Sequence, residues 1–88
     1  RPFKLFGSTL TLNVAASEGY ISVEVLDQKG VSINGFSAKN CRALENVDSL
    51  RAPVNWTGLR GLAGLEGQTI RLRFRLRNAA LFAFQVQP

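Results

Sequence analysis

Residues Ile70-Arg71-Leu72-Arg73-Phe74-Arg75-Leu76-Arg77 alternate apolar and cationic side chains without a break. Successive side chains of a strand point to opposite faces, so Ile70, Leu72, Phe74 and Leu76 are placed against a core and the arginines on the other side. At about 3.3 Å per residue, neighbouring arginines stand about 6.6 Å apart in a row about 20 Å long. Arg71, Arg73, Arg75 and Arg77 are therefore the first candidate contact surface.

The length of 88 residues suits one small domain, with room for a single core and none for a catalytic domain beside it. Hydrophobic residues make up 45% and charged residues 19%, a globular balance. No apolar run approaches the roughly 20 residues of a membrane span, so no membrane partner is expected. Cys41 is the single cysteine, which excludes an internal disulfide and leaves the compartment open. With no methionine and Arg1-Pro2 at its start, the chain is expected to be a processed fragment or a module of a larger protein. The net charge of +5 owes much to the arginine row and favours polyanions or an acidic protein surface as partners.

Leu10-Thr11-Leu12-Asn13-Val14 and Tyr20-Ile21-Ser22-Val23-Glu24-Val25 alternate as two strands joined by Ala15 to Gly19. Asp27-Gln28-Lys29-Gly30 has the residue preferences of a tight turn leading into Val31-Ser32-Ile33, and Asn34-Gly35 is a second turn signal. Phe36 to Asp48 shows no period and reads as loop with short extended pieces. Val54-Asn55-Trp56-Thr57 reads as a strand opening after Pro53. Glycines 58, 61, 64 and 67 with leucines 59, 62 and 65 have a three-residue period that suits a turn of tight helix. A last strand follows Asn78-Ala79, with Phe82, Phe84 and Val86 sharing a face. The expected fold is all-β, an antiparallel β-sandwich of jelly-roll or Ig-like type, with about six to eight short strands in one domain over residues 1–88.

Histidine is absent, which removes the usual general base, the Ser-His triads and the commonest metal ligand, and one cysteine cannot make a zinc site. Glu45 and Asp48 are the only carboxylates close in sequence, and two acids in a loop are ordinarily just solvated. No catalytic residue, metal or cofactor is expected. Gly58-Leu59-Arg60-Gly61 has the spacing of an RNA-clamping loop but lacks the flanking helices such loops need. Asn55-Trp56-Thr57 matches a glycosylation triplet. Trp56 shares a face with Val54 and reads as core, whereas Tyr20 falls out of phase with Ile21, Val23 and Val25 and is the better exposed ring.

Three readings of the arginine row stay open. It can be a solvated face paired with cross-strand acids such as Glu24, a docking surface for another domain or subunit, or a groove for a polyanion. Nucleic-acid readers interleave exposed aromatics with cations, and here Phe74 alternates onto the apolar face, which weighs against nucleic acid.

The ordered set Arg1-Pro2-Phe3, Gly7 to Asn13, Gly19 to Asp27, Gly35-Phe36-Ser37, Val54-Asn55-Trp56, Leu62 to Phe74 and Asn78 to Phe84 resembles the C-terminal β-sandwich module of glycoside hydrolase family 32-type proteins, bacterial relatives included. The resemblance implies an accessory module following a five-bladed propeller that holds the catalytic carboxylates. It implies domain docking or weak glycan binding, a preceding β-propeller domain as partner, and a secreted or periplasmic setting. The chain departs from that pattern at Asn78 and Phe82, where an acid and a tyrosine are expected, and at Asn40, where such modules often have an acid, so neither a polar contact at the last motif nor a carboxylate-dependent ligand or metal role at Asn40 is carried over. The expected binding residues are Arg71, Arg73, Arg75, Arg77 and Tyr20. Carbohydrate, a polyanion or a second copy of the chain completes the set of expected partners, and a free-standing polyanion-binding or self-associating domain is the alternative.

Overall fold

The computed structural model describes residues 2–88; Arg1, the first residue of the family-like motif, lies outside them. Among the described residues there are five strands, β1 (Phe3–Lys4), β2 (Thr9–Asp27), β3 (Leu44–Pro53), β4 (Thr69–Arg77) and β5 (Ala80–Gln87), and no helix. All pairings are antiparallel within one sheet: β1 pairs β4, β4 and β5 pair successive halves of one edge of β2, and β3 pairs the other edge. The all-β antiparallel class is as expected, and the strand count is lower. Two expected strands have merged, because Ala15 to Gly19 continues β2 instead of leaving it.

β2 has 19 residues, a length of about 60 Å if straight. The longest dimension of the protein is only 34 Å, so β2 bends sharply. From Ala16 to Tyr20 it advances four residues while β3 advances two, from Val47 to Glu45. The inward positions switch parity across this corner, from Leu10, Leu12, Val14 and Ala16 to Ile21, Val23 and Val25. Each strand makes the bend by its own means. β3 uses Asn46 at φ 54° and the β4–β5 link uses Asn78 at φ 48°, and Asn is among the few residues that accept the left-handed region. In β2, Gly19 lies so close to the Arg77 and Asn78 carbonyls that a Cβ would collide with both.

The core gathers on the inward side of the bent sheet, with Leu5, Phe36, Trp56, Leu62, Leu65 and Ile70 packed against the buried residues of β2. Trp56 is fully buried as expected, and its indole N–H donates to the Val23 carbonyl at 3.1 Å.

Four local readings are corrected. Leu44–Pro53 is a strand where the sequence reads as loop over much of its length, while Val54 to Thr57 makes only isolated bridges, Trp56 to Cys41 and to Leu59. The period-three glycine segment is a chain of turns, not a helix. Leu59, Ala63, Leu65 and Gln68 each donate to the carbonyl three residues back, and Gly58, Gly61, Gly64 and Gly67 all have positive φ, which breaks helical propagation at every turn. In β5 a register shift opposite Asn13 and Val14 takes Phe82 out of phase, so that Phe84 and Val86 oppose Leu12 and Leu10 while Phe82 is exposed.

The turn at Asp27 is as read. Gly30 N–H donates to the Asp27 carbonyl at 2.9 Å, and the Asp27 carboxylate accepts from the Lys29 and Val31 amides at 2.8 and 3.0 Å. Val31 to Ile33 returns along β2 through a bridge between Ser32 and Leu26, not as a named strand.

Candidate functional site

The phase read for β4 is the one observed. Leu72, Phe74 and Leu76 oppose Val25, Val23 and Ile21, whereas Arg71, Arg73, Arg75 and Arg77 oppose Leu26, Glu24, Ser22 and Tyr20. The four guanidinium groups are not equivalent. Arg71 Nε–H donates to the Gln28 carbonyl at 3.2 Å, and Arg73 lies 3.4 Å from the nearly buried Glu24 carboxylate. Arg75 and Arg77 form no ion pair among the described residues. Two members of the row are tied down and two are exposed and free.

Tyr20 is exposed as expected, and β-pairing brings it to Arg77 on one side and Glu45 on the other. The corner of the sheet holds a recess of about 340 Å³ there, lined by Glu18, Tyr20, Glu45, Asn46, Arg77 and Asn78. The phenol ring offers a stacking surface, and the amides, carboxylates and guanidinium offer donors and acceptors for hydroxyl groups. Glu18 and Glu45 offset the charge of Arg77, so this end of the row carries less positive potential than the arginines alone would give. Glu45 and Asp48 both lie in β3 instead of a loop. Among the described residues no group of His, Cys, Asp and Glu could hold a metal ion.

Behind the arginine face, the apolar side of the same strand runs out of the core. Ile70 is fully buried, Leu72 and Phe74 are half-buried, and Leu76 is 43% exposed. β5 continues the trend at Phe84, which is 44% exposed, while the out-of-phase Phe82 is 66% exposed. Phe84 touches Phe3 and Phe74, with ring centroids 5.9 and 5.7 Å apart. β5 carries no charged residue and pairs only with β2, so its outer edge is unpaired among the described residues. Exposed aromatic surface beside a free, uncharged edge is a combination that isolated proteins ordinarily guard against.

Cys41 is half-buried, and burial pushes its thiol above the ordinary range, with the Val23 amide, 3.3 Å from Sγ, acting in the opposite direction. A thiol so placed is a poor nucleophile at neutral pH. Sequence reasoning missed the open apolar side because alternation shows which residues share a face but not whether anything covers it.

Comparison with protein-family models, curated proteins and solved structures returns no match for this chain.

Proposed function

We propose that the chain is a non-catalytic accessory module that acts by docking on a neighbouring domain of a carbohydrate-active, glycosidase-like protein. The observation that carries this reading is the open apolar side of β4 and β5, where Leu76 and Phe84 extend the core face outward. Burying such side chains against a partner gains roughly 25 cal/mol per Å² of apolar surface, and a docked neighbour would also cover the free edge of β5. The motif order that resembles the family 32-type module supplies the partner, a preceding β-propeller domain. On this reading the two arms of the bent sheet are the layers of a β-sandwich. The recess at Tyr20 and Arg77 is then a site for weak contact with sugar hydroxyls at the rim of the docked pair.

The alternative, a polyanion-binding domain, is favoured by the free Arg75 and Arg77 and weakened by the carboxylates of Glu18 and Glu45 beside Arg77.

The test reads the native frame upstream of Arg1 and measures binding of the chain to the domain encoded there. Leu76→Ser with Phe84→Ser should weaken docking about tenfold or more, while Arg75→Gln with Arg77→Gln should leave it unchanged. A start codon immediately before Arg1, or docking lost only in the arginine variant, would overturn the reading.

A further inference from the structure

We infer that the cleft between the start of β2 and the Gly58 to Gly61 turn is a binding site for an anionic oxygen group, a sulfate, phosphate or carboxylate. The cleft has a volume of about 760 Å³, and Arg42 and Arg60 both line it together with Ser8, Thr9 and Asn55. No carboxylate lines it. Among the described residues Arg42 and Arg60 are exposed and form no ion pair. An anion entering this cleft therefore meets positive charge without first displacing an internal acid.

The two cations are 18 positions apart in sequence, and one residue ties their segments together. The backbone carbonyl of Asn55 accepts from the Arg42 amide at 2.9 Å, and its side-chain Oδ1 accepts from the Gly61 amide, next to Arg60, at 2.7 Å. Ser8 anchors the far wall, its carbonyl accepting from Leu62 N–H at 2.7 Å. Below them the buried Trp56 is fixed through Val23. Both cation-bearing segments thus start from a hydrogen-bonded frame, which lowers the ordering cost of binding. The side chain of Asn55 is committed to this frame, so the glycosylation triplet it belongs to has a structural use.

The test titrates the 88-residue chain with sodium sulfate, sodium phosphate and a uronic or sulfated oligosaccharide at constant ionic strength, following backbone amide shifts by nuclear magnetic resonance. Saturable shifts are expected at Gly58, Arg60, Gly61 and Ala63. Saturation by the free ions identifies a small anion as ligand, and saturation by the oligosaccharide alone identifies the charged groups of a polymer. Arg42→Gln with Arg60→Gln should weaken binding about tenfold or more, with the urea midpoint unchanged, and Lys29→Gln, at an exposed cation that does not line the cleft, should leave it within about twofold. Shifts no larger than those caused by sodium chloride, or affinity retained in the Arg42 and Arg60 variant, would overturn the assignment. The wild-type shift map decides the matter even if that variant fails to fold.

Discussion

Asn46 and Asn78 occupy the same left-handed backbone region, one in β3 and the other between β4 and β5, on opposite sides of the corner that β2 turns at Gly19. Three neighbouring chain segments therefore bend at one level, which keeps the ladders in register on both arms. The bend also sets Tyr20 and Arg77 beside the recess, so that candidate site depends on the corner being intact.

Gly19→Ala should cost about 3 kcal/mol, because the new Cβ meets two backbone carbonyls that cannot move independently. Gly64→Ala is the comparison, since that glycine has φ +92° but open space around it, and should cost about 1 kcal/mol. Urea unfolding of the two variants checks the order, and equal costs would mean that the corner is not closed as described.

Along β4 the cost of truncation should follow the fall in burial. Ile70→Ala should destabilise by about 3 kcal/mol and Leu76→Ala by less than about 1 kcal/mol, with Phe74→Ala between them. Unfolding free energies of the three variants in the isolated chain measure this gradient.

Arg73→Ala should destabilise by about 1 kcal/mol, because it leaves the nearly buried Glu24 carboxylate without its ion-pair partner, a cost reduced by the exposure of Arg73 itself. Arg75→Ala should stay within about 0.5 kcal/mol of the parent. A reversed order, read from urea midpoints, would place the ion pair elsewhere in the row.

Cys41 should react slowly with a disulfide reagent at neutral pH in the folded chain and rapidly in urea. Its raised folded-state value has a stability consequence of fixed sign. The contribution is fully present below the unfolded thiol's value, about 8.5, and is lost as pH rises through the folded value. The stability difference between the parent and Cys41→Ala should therefore move toward the variant across that alkaline window.

The strands with strong alternation were legible in the sequence, and the corner was not. Ile70 to Arg77 and Tyr20 to Val25 are in the phase their side chains dictate. By contrast, Ala15 to Gly19 contains no apolar rhythm, so nothing in it shows that one strand continues through a bend. β3 went unseen for a related reason. Leu44–Pro53 has mixed side chains and is placed by pairing with β2, a long-range effect that overrides local pattern. In the glycine segment the period was real but its cause was a left-handed residue ending each turn. Of the candidate site residues, the exposure of Tyr20 and the outward face of the arginines were legible. The partnering of Arg71 and Arg73 needed the structure, as did the cleft that gathers Arg42 and Arg60 around Asn55.

The measurement that tests the central claim most directly is backbone amide hydrogen exchange at Leu76 and Ala80 to Val86, compared between the 88-residue chain and the full protein encoded by its native frame. Docking through the open apolar side predicts that these amides exchange markedly more slowly in the full protein, while those of the opposite edge strand, Leu44–Pro53, keep their rates. Equal exchange at Leu76, Phe82 and Phe84 in both forms would show that nothing covers this surface and would contradict the account.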